Sequence, residues 1–347
     1  MITEIDLFQD NDIPLLDVRS PGEYATGHIP GAISLPLFSD EERKEVGTTY
    51  KQVGPKDAFQ QGLDFVGPKM SHFVKMGEEL SHEGHIKLYC WRGGKRSQSI
   101  GWLLQQAGLK VMVLQGGYRS YRQTAMQKFA QPVNLVVLGG HTGCGKTEIL
   151  KRLTQKGEQV IDLEGLANHR GSAFGGIGQA KQPSNEQFFN MVWEQWRRMD
   201  HTRTVWIENE SLCIGRVVVP EALLEQMKLA PLFIINAPIK LRMQYLIELY
   251  GSQPKKEIAA AINKLSKKFG LQDTKQMLTQ LEQGELKPVV NRLLKYYDKG
   301  YQHGLNRTDK TRMQNIELPQ YPNSWDEWID NIAILLQKHP ARSTVKK

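Results

Sequence analysis

One thiol stands in a setting suited to chemistry. Cys90-Trp91-Arg92-Gly93-Gly94-Lys95-Arg96-Ser97 follows an apolar run and precedes a helical pattern. A thiol placed there lies over the backbone N–H groups of a helix N-terminus, and Arg92, Lys95 and Arg96 add positive charge. Both effects favour the thiolate, the form that attacks an electrophile or carries a chalcogen. Gly93 and Gly94 allow the backbone to curl around an anion. An inert cysteine at a strand end has no need of three cations within six residues. Cys90 is therefore expected to be catalytic, and Arg92, Gly93, Gly94, Lys95 and Arg96 to form an anion loop.

A second anion site is written further along. Gly140-His141-Thr142-Gly143-Cys144-Gly145-Lys146-Thr147 fits G-x-x-x-x-G-K-[ST], after an apolar strand and ahead of a helix, the context that confirms a P-loop. Gly140, Gly143 and Gly145 let backbone N–H groups cradle phosphate oxygens, with ATP or GTP as the default ligand. Lys146 neutralises its charge as a second catalytic residue, and Thr147 is placed to hold Mg²⁺. Cys144 reads as a small filler. Carboxylates able to help a metal are Asp162, Glu164 and Glu208, each at or just past a strand end. Asn236-Ala237-Pro238 followed by Leu241-Arg242 resembles nucleotide kinases, in which such an arginine contacts phosphate. Residues 162–178 pack polar, cationic and glycine residues together. They are expected to be a substrate loop carrying His169, Arg170 and Ser172, with Phe174 nearby.

Short strands must position these loops. Apolar runs at 15–18, 86–90 and 111–114 alternate with a helical pattern at 97–106, and residues 38–86 read as helical pieces and loops. Further strands are read at 134–138, 160–163, 204–208 and 232–236, with helices through about 155, over 187–199, and across most of 239–301. Such alternation implies parallel sheets. The expected organisation is an α/β domain over 1–131, a second α/β domain over 132–337 with a helical, basic C-terminal part, and a disordered tail at 338–347.

The chain carries 347 residues and a net charge of +8, which suits a polyanionic partner. Residues 240–270 hold seven Lys or Arg against two Glu, and 287–312 hold seven against two Asp. Lys255, Lys256, Lys267, Lys268, Arg292 and Lys295 are the expected RNA contacts, with Tyr296, Tyr297 and Tyr301 interleaved to stack on unpaired bases. No apolar run reaches the roughly 18 residues that a membrane span needs, and no leader pattern opens the sequence. The three cysteines, Cys90, Cys144 and Cys213, are well separated. They show no metal-ligand spacing and point to a reducing, cytoplasmic setting.

The first domain resembles the rhodaneses. Leu16-Asp17-Val18-Arg19-Ser20-Pro21 with Glu23-Tyr24, then Gly27-His28-Ile29-Pro30-Gly31-Ala32, matches that family's N-terminal signature, and Leu114-Gln115-Gly116-Gly117-Tyr118 its C-terminal one. The resemblance makes Cys90 a persulfide-type cysteine and makes Asp17, Arg19, His28 and Gly31 scaffold. Arg96 also gives the C-x5-R spacing of rhodanese-like phosphatases, but Tyr89 replaces the histidine that usually precedes their cysteine. A rhodanese domain followed by this P-loop, together with the segment Asp162-Leu163-Glu164-Gly165-Leu166-Ala167-Asn168-His169-Arg170-Gly171-Ser172, resembles the tRNA 2-selenouridine synthases over about residues 10–335.

That resemblance implies two reactions on tRNA with 2-thiouridine at the wobble position. Geranyl diphosphate held by the P-loop alkylates the sulfur; selenium from selenophosphate then replaces the geranylthio group in the Cys90 domain. It implies selenophosphate and geranyl diphosphate as substrates, selenophosphate as the ligand of the Cys90 loop, and no tightly bound cofactor. An apolar channel is then expected near the P-loop, with Trp193, Trp196 and Phe188 as candidate walls. The alternatives are an ATP-dependent tRNA sulfurtransferase using a Cys90 persulfide, and a nucleotide-gated tRNA-binding module with a degenerate first domain.

Overall fold

The computed structural model describes residues 12–318, 320–322 and 324–339. The chain divides into two compact units, 1–129 and 130–347.

In the first unit, β1 (Leu15–Asp17), β2 (Ile33–Ser34), β3 (His85–Tyr89) and β4 (Lys110–Val113) form a parallel sheet in the order β2-β1-β3-β4. Helices α1 (Pro21–Thr26), α2 (Asp40–Gln52), α3 (Pro55–Val66), α4 (Met70–Leu80), α5 (Lys95–Gln106) and α6 (Gly117–Phe129) join and cover it. Leu16, Val18, Ile86, Leu88, Ile100 and Leu104 are wholly buried or nearly so. A central strand covered on both faces reads as mostly apolar, as 86–90 does apart from Lys87, which is itself buried.

The second unit holds a five-stranded parallel sheet in the order β11-β10-β5-β7-β6. Its strands are β5 (Leu135–Gly140), β6 (Gln159–Ile161), β7 (Val205–Glu208), β10 (Leu232–Ile235) and β11 (Met313–Ile316). Around it lie α7 (Lys146–Gln155), α8 (Leu163–Ala167), α9 (Asn185–Arg197), a β8–β9 hairpin (Cys213–Ile214 with Val217–Val218) and α10 (Glu221–Leu229). A helical group follows: α11 (Ile239–Gly251), α12 (Lys255–Lys264), α13 (Ser266–Phe269), α14 (Leu271–Glu282) and α15 (Leu286–Asn306). α16 (Trp325–Lys338) closes the described chain.

The parallel α/β expectation therefore holds in both units. Three details differ from the sequence reading. Leu163 opens a short helix rather than ending a strand, because the Asp162 carboxylate caps it by accepting from Gly165 N at 2.8 Å. β11 and α16 were not expected. Of the tail expected to be disordered, Lys338 ends α16, and residues 340–347 lie outside the described residues. Among the described residues no helix is long and apolar enough to cross a membrane.

Candidate functional site

In the first unit the cysteine loop is held from three sides. Cys90 directly follows the buried strand β3, is 3% exposed, and accepts a hydrogen bond from Ser97 Oγ at 3.2 Å. The turn before α6 clamps the loop. Tyr118 N donates to Cys90 O at 2.9 Å and Arg119 N donates to Trp91 O at 2.9 Å. Gly93 and Gly117 sit at φ +64° and +61°, and a Cβ on Gly117 would overlap the backbone of Cys90, Arg92 and Gly93. Only glycine combines that conformation with that close an approach. The cysteine loop and the Gly116-Gly117-Tyr118 turn are thus one built object.

The N-terminal signature braces this object. Arg19, 1% exposed, pairs with buried Asp17, donates to Gly27 O at 2.6 Å, and lies 3.9 Å from the centre of the Tyr118 ring. His28 stacks on Tyr24 at 3.9 Å and its Nδ1 is 3.0 Å from Tyr24 O. Both residues are framework.

The expected cations of the loop part company. Trp91 and Arg92 are exposed at its tip. Arg96 donates to Glu23 at 2.6 and 3.3 Å. Against the upward push of burial, that hydrogen bond and charge hold the Glu23 carboxyl below the usual carboxylate range. Lys95 Nζ lies 4.8 Å from the centre of the Phe59 ring. Arg96 therefore ties α5 to α1 instead of standing free for an anion, because Glu23 faces it across the fold. Gly93 and Gly94 do shape the loop as expected.

In the second unit the P-loop runs from β5 into α7. Gly140, Gly143 and Gly145 all take positive φ (+153°, +78°, +84°). Cys144 is fully buried in the sheet core, where burial pushes its thiol up; it is the filler expected. Lys146 Nζ is 3.4 Å from Gly140 O. Burial would lower its ammonium, but Cys144, Glu164 and Glu210 outweigh that and raise it. A cavity of ≈ 240 Å³ opens in front, walled by Gly140, Gly143, Gly145, Lys146, Thr147, Glu164, Arg170, Gly171, Ser172, Asn209, Glu210 and Tyr301.

The carboxylates are ordered around it. Thr147 Oγ1 donates to Glu164 Oε2 at 3.1 Å. Glu208, 1% exposed, accepts from Glu164 N at 2.6 Å through Oε1, and its Oε2 has no hydrogen-bond partner among the described residues. Burial, then the charges of Asp162 and Glu164, push Glu208 well above the ordinary range. Burial and Glu164 push Glu210 up to about 8. Asp162 is engaged as a helix cap and is not at the cavity.

Several expected residues move to other tasks. Arg170 and Ser172 line the cavity, but the His169 ring packs beneath Gly175 and Gly176, and burial lowers its pKa. Arg242 does not face the cavity. It is 4% exposed, donates to Thr142 O at 3.0 Å, and pairs with Asp298 at 2.6 Å. Trp193, Trp196 and Phe188 are core residues of α9 at 5%, 0% and 0% exposure.

An apolar cavity does adjoin the P-loop, but its walls do not include the three expected residues of α9. It measures ≈ 50 Å³, is walled by Phe174, Leu246, Ile258, Val289, Val290 and Leu294, and shares Thr142, Ser172, Leu246, Tyr250 and Tyr297 with the phosphate-facing one. Tyr297 and Tyr301 belong to these walls rather than to a base-stacking surface. Tyr297 OH accepts from Ala173 N at 3.3 Å, and burial pushes both phenols up to about 12.

Of the residues expected to touch RNA, Lys256, Lys267, Lys268 and Lys295 are exposed on the helical group. Lys255 donates to Glu282 O at 2.9 Å, and Arg292 pairs with Asp273 at 3.3 Å. Sequence reasoning missed the floor of the P-loop, which α16 supplies. Ile329 and Trp325 pack under Gly145, and Trp328 Nε1 donates to Cys144 O at 3.5 Å. The signal was present: Ser324 with Glu327 makes a capping pattern ahead of apolar residues at 325, 328, 329, 332 and 336.

Comparison with known proteins agrees with this layout. Residues 5–124 match the rhodanese-like domain, and residues 133–327 match the tRNA 2-selenouridine synthase AAA domain. The tRNA 2-selenouridine synthase of Psychromonas ingrahamii is 31% identical over 85% of this chain and 88% of its own length. That of Hydrogenovibrio crunogenus is 35% identical over 78% of this chain and 80% of its own. That of a Sulfurovum strain is 37% identical, and the match spans 69% of this chain and 66% of that protein's length. With a rhodanese-like unit followed by the matched AAA domain, and with relatives 31% and 35% identical over most of both chains, the chain belongs to the tRNA 2-selenouridine synthase family.

Proposed function

We propose that the chain modifies tRNA at the wobble 2-thiouridine in two steps. The P-loop unit geranylates the sulfur with geranyl diphosphate, and the Cys90 unit then exchanges the geranylthio group for selenium from selenophosphate. The observation that carries this reading is the junction of two cavities, one lined by phosphate-binding backbone and Lys146, the other by aliphatic and aromatic side chains. A diphosphate joined to a branched hydrocarbon needs that pairing of surfaces. A purine ring needs polar edges, and Phe174, Val289, Val290 and Leu294 offer none.

In the first step the thiocarbonyl sulfur attacks the allylic carbon, the carbon–oxygen bond to diphosphate breaks, and the N3 proton of the base is lost. Negative charge grows on the departing diphosphate. The loop N–H groups and Lys146 are already aimed at it, which stabilises the transition state without reorganisation. Thr147 and Glu164, together at 3.1 Å beside the loop, with the unpartnered Glu208 Oε2 behind them, suit Mg²⁺. Bound there, Mg²⁺ would neutralise part of the leaving group's charge. Arg170 and Ser172 border the same cavity and are placed to contact the substrate. In the second step alkylation has made the sulfur a thiolate-type leaving group. The selenium of selenophosphate bonds to C2, the C2–S bond breaks and geranylthiol departs with a proton; water then cleaves the Se–P bond, releasing phosphate and leaving the N3 proton on the base, with the Cys90 loop holding the selenium donor. The exposed lysines of α12 to α15 supply tRNA phosphate contacts.

The test mixes purified protein, thiolated tRNA and geranyl diphosphate without ATP, and reads the nucleosides by mass spectrometry. The parent chain is expected to geranylate, and Lys146→Ala to abolish it. Cys90→Ser is expected to geranylate yet fail to selenate. Retained geranylation in Lys146→Ala, or transfer that requires ATP and ignores the prenyl donor, would overturn the reading.

A further inference from the structure

The first unit carries an apolar groove that neither the cysteine loop nor its clamp uses. It lies between α2, α3 and the start of α5, has a volume of ≈ 160 Å³, and is walled chiefly by Phe38, Val46, Ala58, Phe59, Leu63 and Val66. Phe59 and Leu63 stand 47% and 49% exposed at its rim, an unusual state for two large apolar side chains on one helix face. Lys95 and Arg96, from the helix that begins at the cysteine loop, form its polar edge.

Two features connect the groove to Cys90. Leu37 and Phe38 line it and belong to the same buried cluster as Cys90. Its polar edge belongs to the anion loop itself, with the Lys95 ammonium over the Phe59 ring and the aliphatic stems continuing the apolar wall. An apolar trough edged by cations beside a reactive cysteine fits a ligand that is greasy at one end and anionic at the other.

We propose that this groove seats the geranyl chain of the S-geranylated tRNA during the selenium step, with Lys95 facing the flanking phosphates while Arg96 stays paired with Glu23. The inference rests on the two-step reading above, since only that reading delivers a prenylated base to the Cys90 unit. The volume suits part of the occupant: a cavity of about 150 Å³ takes one benzene, so the groove of ≈ 160 Å³ seats roughly half of the ten geranyl carbons, the rest lying over its open rim. The same seat would hold geranylthiol as it leaves, keeping its sulfur aligned until selenium has bonded to C2.

The experiment compares selenation of tRNA carrying S-geranyl-2-thiouridine with selenation of tRNA carrying S-methyl-2-thiouridine. Both are prepared chemically, so the first step is bypassed. Each buried methylene is worth about fourfold in affinity, so even half-burial of the chain predicts a KM for the geranyl substrate at least about 100-fold below that for the methyl one. Leu63→Lys and, separately, Phe59→Lys place a charge at exposed rim positions where folding tolerates it. Either is expected to raise the geranyl KM about tenfold or more while leaving the methyl KM within about twofold. Equal KM values for the two substrates in the parent chain, or undiminished preference in both variants, overturns the proposal. A change in solution mass in Leu63→Lys with preference intact assigns the groove to chain–chain contact and overturns it too. A parent chain that never geranylates thiolated tRNA sinks the two-step reading instead, a result distinguishable from these.

Discussion

Replacing Gly117 by alanine tests whether the turn before α6 sets the position of the cysteine loop. Two costs follow from the structure. Gly117 sits at φ +61°, where a residue bearing a Cβ loses roughly 1–2 kcal/mol. The added carbon would also stand 2.5 Å from Gly93 N and 2.9 Å from Arg92 N, against ordinary contacts of 3.4 Å or more. Backbone atoms cannot rotate away as a side-chain tip can, so the loop bearing Cys90 must retreat by about 1 Å. Misplacement on that scale costs on the order of 100-fold in rate. Gly116→Ala is the matched control. Its φ is +72°, but the three atoms nearest its Cβ all belong to Ser120 and none to the cysteine loop. Both variants should lose a few degrees of Tm. Gly117→Ala alone should lose selenation about 100-fold, measured on pre-geranylated tRNA, with geranylation within about twofold of the parent. If the two variants selenate alike, the turn does not hold the loop, and the clamp has no catalytic meaning.

The carboxylates of the P-loop unit predict a pH dependence of stability. Burial and Glu164 raise the folded-state pKa of Glu210 from 4.5 to about 8. The folded state thus binds a proton more tightly than the unfolded one between those values. Its contribution is full below about pH 4.5 and is lost as pH rises toward 8, with a slope of at most about 1.4 kcal/mol per pH unit. The melting temperature of the parent should fall between pH 6 and 8, and Glu210→Gln should flatten that fall; an equal fall in the variant refutes it. For the RNA face, Lys267→Glu with Lys268→Glu should weaken tRNA binding and reduce the slope of log affinity against log salt by about one to two. An unchanged slope in filter binding or anisotropy removes these lysines from the interface.

How far the sequence could be read depended on whether a residue's partner is local. The Cys90 and Lys146 loops were legible because glycine, cation and nucleophile lie within eight residues of one another, and strand and helix flank them directly. Clamping of the first loop by residues 114–118 was legible only as two signatures, because nothing in either stretch says that Gly117 and Gly93 must touch. Glu164 on Thr147, α16 beneath Gly145, and the Glu23–Arg96 pair are contacts across 17, about 180 and 73 positions. Local pattern does not encode such pairings. Aromatic residues misled for the same reason. Trp193 and Trp196 follow the helical period of a buried face, while Tyr297 and Tyr301, set among lysines, turn inward one helical turn apart.

Arg242 shows how such a redirection bears on ligand choice. Its sequence context is that of a kinase arginine that contacts phosphate. Here Asp298 on α15 neutralises it, and its Nε holds the carbonyl of Thr142 in the P-loop. The charge is spent on fixing the loop and is withdrawn from the ligand. The cations left in the cavity wall are Lys146 and Arg170, facing Glu164 and Glu210. A triphosphate carries about four negative charges into its pocket and needs more compensation than two cations beside two carboxyl groups provide. A diphosphate monoester, with metal on Thr147, needs less. The adjoining wall, where Leu246 and Val290 pack against Leu294, offers the remainder of the ligand hydrocarbon contact rather than charge. Electrostatics and apolar surface thus lend separate support to the proposed diphosphate ligand.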